Sequence, residues 1–168
     1  MRVFLLLLGL VFVSAYLITA NGQSDAVKIP PPLVENVQPQ ALQKTQIKIH
    51  KIVSDEHIEL LVELAKTPLE QQIGMMFREH VPENTGMLFL FDQAYERNFW
   101  MKNTLVSLDL LFIGENGLIH HIHSNAVPES LAHINSRGAA LAVLEIGGGE
   151  SKRLGISIGD KVLYPAFE

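Results

Sequence analysis

The sequence predicts a mainly β domain, an antiparallel β-sandwich or barrel-like fold with one or two short helices, carried behind an N-terminal export segment. Three observations lead there. Apolar stretches of strand length recur roughly every ten residues across the second two thirds of the chain, a spacing typical of all-β folds. Glycine-rich and asparagine-rich turns separate them. Helical signals are too few to cover a parallel sheet on both faces, so antiparallel pairing is expected.

Taken in order, residues 1–22 read as a signal peptide. Arg2 supplies a single positive charge, Val3 to Ile18 are almost wholly apolar, and Ala20 and Gly22 offer the small side chains that a signal peptidase accepts. Cleavage is expected after Gly22. The same stretch reaches the length of about 18 apolar residues that just spans a bilayer, so an uncut anchor over residues 3–20 is the alternative. Either way the rest of the chain is expected outside the cytoplasm, periplasmic or secreted. Residues 23–44 follow as a flexible tether, with Pro30, Pro31, Pro32 and Pro39 favouring extended backbone.

Residues 45–167 form the expected domain. Gln46 to His50 and Ile58 to Leu64 alternate with period two and predict two strands. Thr67-Pro68-Leu69-Glu70 is a capping box with proline at the first helical position, opening a short helix that Gly74 can close. Gly86 to Phe91, Phe99 to Lys102 and Leu108 to Ile113 predict further strands. Gly114-Glu115-Asn116-Gly117 predicts a hairpin turn into Leu118 to His123. Ala139 to Ile146 reads as a buried strand, Gly147 to Gly149 as a bend before a short helix at Glu150. Gly155 to Ile158 and Val162 to Tyr164 predict a closing hairpin through Gly159-Asp160.

Charge and cysteine usage narrow the function. Thirteen Lys and Arg, one of them Arg2 in the leader, stand against eighteen Asp and Glu, which leaves a net charge of −6 beyond the leader. An acidic domain is a poor match for nucleic acid or an anionic membrane surface, so membrane contact is expected only through the N-terminal segment. The chain has no cysteine. Disulfides and lipoprotein acylation are therefore excluded, and an ordinary hydrophobic core must hold the fold. Nucleophile elbows of the Gly-x-Ser-x-Gly type and zinc helices of the His-Glu-x-x-His type are absent.

Four phrases, Gly74-Met75-Met76-Phe77-Arg78, Gly86-Met87-Leu88-Phe89, Phe99-Trp100-Met101-Lys102-Asn103-Thr104 and Leu108-Asp109-Leu110-Leu111-Phe112-Ile113, together with Val143-Leu144-Glu145-Ile146 and the glycines that follow, resemble the "domain of unknown function 192" family over about Thr45 to Leu163. The resemblance implies a mainly β sandwich-like domain, often secreted in bacteria, without an established activity. Gln71 departs from it, standing where the family tends to place an arginine.

The densest mixture of aromatic and polar groups is Trp100, Lys102 and Asn103 with Asp109. On a strand, Trp100 and Lys102 would share one face, an indole beside an ammonium, with Asn103 at the strand end. Such a surface suits a sugar ring or peptide. The bland alternative has Trp100 plugging the core and Asp109 accepting backbone N–H bonds from Thr104 to Ser107. Arg78 is either an anion clamp or a structural ion pair with Glu70, Asp109 or Glu145. The methionines 75, 76, 87 and 101 and the histidines 120, 121 and 123 raise a copper site. Neighbouring histidines alternate faces and the methionines sit in core-like runs, so no metal or cofactor is expected. The leading expectation is a non-enzymatic domain binding a small molecule, glycan or peptide through Trp100, Lys102, Asn103, Asp109 and Arg78. The alternatives are an enzyme using Asp109 and Glu145 as paired carboxylates on a saccharide or similar polymer, or an accessory protein acting through a partner.

Overall fold

A computed structural model describes residues 39–167. The expected signal peptide and most of the expected tether lie outside the described residues. Seven strands make one mixed sheet in the order β5-β4-β6-β3-β2-β1-β7. They are β1 (Lys44–Lys51), β2 (Glu56–Ala65), β3 (Thr85–Phe99), β4 (Leu108–Ile113), β5 (Ile119–Ala126), β6 (Ile134–Gly147) and β7 (Lys161–Leu163). Helix α1 (Pro68–Ile73) lies between β2 and β3, and α2 (Glu150–Leu154) follows β6. The sheet curls into a half-barrel. Its two edges meet where Leu118 bridges Lys161 and the Val162 N–H donates to the Gly117 carbonyl.

All pairings are antiparallel except one. Strand β2 runs parallel to β3, with α1 in the connection between them. The capping box explains why a helix starts there. The Thr67 hydroxyl accepts from the Glu70 N–H, the Glu70 carboxylate accepts from the Thr67 N–H at 2.8 Å, and Gly74 closes the helix at φ 50°. Returning the chain through a helix and the loop from Gly74 to Asn84 lets β3 enter alongside β2 in the same direction.

Strand alternation sorts the core into two clusters. Ile47, Ile49, Leu60, Val62, Leu88, Leu111, Leu144 and Ile146 pack inside the curl, joined by Ile156 and Val162 from the C-terminal segment. On the opposite face Met87, Phe89, Leu110, Phe112 and Val143 pack under Met75 and Met101. Two loops therefore cover the outer face, one after α1 and one after β3. Burial of an apolar side chain of this size contributes about 1.5–3 kcal/mol, and both clusters are contiguous, so each face is held by its own core.

Three local expectations are corrected. Gly86 to Phe91 and the start of the Phe99 phrase belong to one long strand, β3, bent by bulges between Leu90 and Tyr95 and between Glu96 and Asn98. It ends at Phe99, so Trp100, Met101 and Lys102 lie in a loop and the face-by-face argument for Trp100 and Lys102 does not apply. Residues 155–158 are not a strand. Instead β7 adds to the edge of β1, pairing Ile49 with Val162.

The described end of the expected tether is docked. The Gln40 side-chain amide donates to the Glu70 and Gly74 carbonyls, and the Leu42 N–H donates to Glu63. No helix among the described residues is long and apolar enough to cross a membrane.

Candidate functional site

Four adjacent strands carry a cross-strand row on the outer face, Glu63 on β2, Met87 on β3, Glu145 on β6 and Leu110 on β4. Two carboxylates thus enter an otherwise apolar face, separated by a methionine. Gly86 permits the close approach of β3 to β6: a Cβ there would stand 2.3 Å from the Glu145 carbonyl oxygen.

The two carboxyls meet different surroundings. Glu63 receives both terminal guanidinium nitrogens of Arg78, each at 2.9 Å, and the Leu42 N–H. Burial pushes its carboxyl up, but the Arg78 and Leu42 hydrogen bonds and the Arg78 charge outweigh that and hold it below the ordinary range. Arg78 also donates to the Gln40 carbonyl at 2.8 Å. Its partner is thus Glu63, not Glu70, Asp109 or Glu145.

Glu145 is 5 % exposed, and no group among the described residues hydrogen-bonds to its carboxyl. Burial pushes it up to about 8, against the opposing pull of the Arg78 guanidinium. The side chain lies in the wall of a cleft of about 510 Å³, within the volume range of small-molecule sites. Phe89, Phe91, Phe99 and Trp100 form its aromatic walls, Met75 and Met76 its apolar side, and Gln71, Gln72, Glu96, Arg97, Asn98 and Thr104 the rest of its polar lining.

The cleft is roofed by the two loops on the outer face, which hold each other. The Phe77 N–H donates to the Asn103 carbonyl at 2.8 Å, and the Asn103 amide contacts the Met76 sulfur at 3.8 Å. Both Phe77 and Asn103 are left-handed, at φ 63° and 56°. Asparagine tolerates that conformation, whereas for phenylalanine it is strained and must be held by its surroundings. The loop after β3 is pinned further by the Met101 N–H on the Ser130 carbonyl at 2.9 Å.

The side chains expected to form one site are therefore distributed. Trp100 lines the cleft and is 46 % exposed at its rim. Lys102 sits 5.3 Å from the Trp100 ring, so their association is right although the strand is not. Asn103 links the two roofing loops. Arg78 lines a separate groove on the far side of Met75. Asp109 is fully buried on the opposite face of the sheet, where its carboxylate accepts from the Asn125 N–H at 2.7 Å, the Gly149 N–H at 3.0 Å, and the Ser151 N–H and hydroxyl at 2.9 and 2.6 Å. The donors come from β5, the cap residue Gly149 and α2, not from residues 104–107. Since Asp109 faces Ile146 across the ladder and Glu145 faces Leu110, the two carboxylates point to opposite sides and cannot act as a pair.

The histidines and methionines also separate. His121 stacks on Phe112 at 5.6 Å, and His120 contacts the Ser136 carbonyl at 3.1 Å, while Met75, Met76, Met87 and Met101 gather around the outer-face cleft. Glu145 is the site residue that reasoning from motifs undervalued. Its signal was a lone acid inside the apolar run Leu141 to Ile146. Gln71, where the family resemblance expects arginine, donates to the Leu90 carbonyl at 2.6 Å and leaves the cleft wall with an uncharged amide.

Comparison with known proteins bears on the whole domain. The family model described as an uncharacterized ACR, DUF192, matches residues 50–164. A crystal structure from Sinorhizobium meliloti 1021, described as a candidate transcription regulator, is 39% identical with a TM-score of 0.73, covering 77% of this chain and 99% of that one. A protein of unknown function from Novosphingobium aromaticivorans DSM 12444 is 37% identical with a TM-score of 0.71, covering 85% and 99%. No curated protein matches the chain significantly.

Proposed function

The chain belongs to the DUF192 family, and from that premise we propose that it is an exported, non-enzymatic domain that binds a small molecule, glycan or peptide in the cleft between Trp100 and Glu145. The single observation that carries this reading is the Glu145 carboxyl, 5 % exposed in the wall of an aromatic cleft and hydrogen-bonded by no group among the described residues. A ligand that donates to it would recover part of the roughly 1–3 kcal/mol that an unmet polar group costs. Half-exposed Trp100 at the rim supplies apolar contact area, and Gln71 and Thr104 supply orientation. A net charge of −6 beyond the leader argues against extending to this chain the regulator description given to its Sinorhizobium meliloti relative, because duplex binding rewards a basic face.

A thermal-shift screen of small molecules, glycans and short peptides on the purified domain tests the proposal. A ligand whose stabilisation disappears in Trp100→Ala supports it; a screen in which every stabilising compound acts equally on that variant counts against it. Delivery outside the cytoplasm is part of the same proposal, resting on residues 1–22. Sequencing the N-terminus of the mature protein decides it: Gln23 supports cleavage, Met1 overturns it.

The raised carboxyl favours one second reading, in which Glu145 is a single general acid or base poised near neutral pH. Turnover that follows the ionisation of Glu145 and vanishes in Glu145→Gln would select it over simple binding.

A further inference from the structure

The proposed cleft is more specific than a generic apolar pocket. Its rings already hold the chain's own cations at the rim: the Arg97 guanidinium lies 3.9 Å from the centre of the Phe91 ring, and Lys102 lies 5.3 Å from that of Trp100. Deeper in, Phe89 and Phe99 stand edge to face at 5.3 Å in the same cleft as the Glu145 carboxyl, to which no cationic side chain among the described residues hydrogen-bonds. The charged neighbours are otherwise engaged. Arg78 is bound bidentately to Glu63, and Arg97 donates to the Gln93 and Ala140 carbonyls. An aromatic wall with a negative carboxylate behind it is the arrangement that recognises organic cations, the rings attracting charge through their faces and the carboxylate neutralising it.

Resting on the binding reading above, we infer that the ligand of this cleft is a small organic cation, an alkylamine or quaternary ammonium group, whose charge is met by the Glu145 carboxylate between Phe89, Phe99 and Trp100. Occupancy would give the Glu145 carboxyl a partner, which no group among the described residues supplies. Because the free protein holds Glu145 protonated up to about pH 8, a permanent cation must displace that proton, so its binding strengthens as pH rises and levels off above 8. The charged and titratable groups nearest Glu145 among the described residues are Glu96 and Arg97 of β3 in the cleft lining and Arg78 of the loop after α1, bound to Glu63 of β2, while β4 contributes apolar Leu110 and Lys102 lies over Trp100 at the rim.

Trp100 is the chain's one tryptophan, so its fluorescence reports on the cleft directly. The test titrates choline and its neutral isostere 3,3-dimethyl-1-butanol into the full chain at pH 6, 7, 8 and 9. Choline should bind roughly tenfold tighter per pH unit between 6 and 8, while the isostere binds weakly at every pH. Glu145→Gln should abolish the preference for the cation, and Glu145→Asp should keep the pH dependence with reduced affinity. If the isostere binds as tightly as choline at pH 9, with Glu145→Gln unchanged, the cation inference is overturned and the cleft stands as a neutral-ligand site. If neither probe perturbs Trp100, the cation inference falls; should the thermal-shift screen also find no ligand sensitive to Trp100→Ala, the binding reading falls with it.

Discussion

Two buried carboxylates on neighbouring strands, Asp109 and Glu145, have opposite situations. Asp109 faces the inside of the curl, takes four hydrogen bonds and ties β5 and the start of α2 to β4. Glu145 faces the outer cleft with no donor among the described residues. One is fully satisfied by its own chain, and the other takes no hydrogen bond from the described residues. Burial alone therefore does not single out a candidate functional acid; the balance of donors around it separates the two.

Removing the satisfied member should have the largest effect. Asp109→Ala leaves three backbone N–H groups and a hydroxyl unpaired, and is expected to cost about 4 kcal/mol, read as a lower urea midpoint at unchanged slope. A loss below about 1 kcal/mol would mean water replaces the carboxylate and the contrast with Glu145 is weaker than drawn.

The ion pair beside the cleft comes next. Arg78→Met strands the mostly buried Glu63 and is expected to destabilise by roughly 3 kcal/mol. Because Arg78 also pulls the Glu145 carboxyl down, the same variant should move the Glu145 titration upward, which carboxyl-selective NMR across pH would detect.

Glu145→Gln should do the reverse of Asp109→Ala. The folded protein keeps the Glu145 proton up to about pH 8, while the unfolded chain releases it near 4.5. Stability therefore falls as pH rises through that window, by at most about 1.4 kcal/mol per unit. Glutamine removes the slope, so denaturation curves for the variant should match the parent near pH 5 and exceed it by roughly 3 kcal/mol at pH 9, water in the open cleft softening the full effect. A variant less stable than the parent at pH 9 would show that the ionised carboxylate has partners after all.

Trp100→Ala is the smallest change in stability. The indole is half exposed at the rim, so a loss under about 1 kcal/mol is expected, together with loss of ligand response. A large stability loss would make Trp100 a core residue and return the cleft to simple packing.

Much of this was legible beforehand for local reasons. Period-two alternation located β1 and β2, the apolar stretch Leu108 to Ile113 located β4, and Thr67-Pro68-Leu69-Glu70 located α1 because a capping box is completed within four residues. Gly114 to Gly117 located the β4–β5 turn. The strand boundary after Phe99 was missed because Trp100 to Lys102 continues an apolar pattern, while the chain leaves the ladder to roof the cleft. The parallel β2–β3 pair was missed since nothing within either strand encodes which neighbour it will find.

The site was half legible. Trp100 and Lys102 were singled out by their mixture of chemistries and do lie side by side, whereas Arg78 lines a separate groove and pairs with Glu63. Assigning Asp109 to the same site failed because sequence proximity to FWMKNT says nothing about the face on which a strand residue points. The sequence by itself determined a mainly β, cysteine-free, acidic domain, since composition, alternation and capping act over a few residues, and its phrases from Gly74 to Ile146 carried the resemblance to the DUF192 family. Only the tertiary structure decided that no group among the described residues hydrogen-bonds to Glu145 while Asp109 takes four hydrogen bonds, because hydrogen-bond satisfaction depends on groups that β5 and the start of α2 bring to Asp109 from sixteen to forty-two residues away.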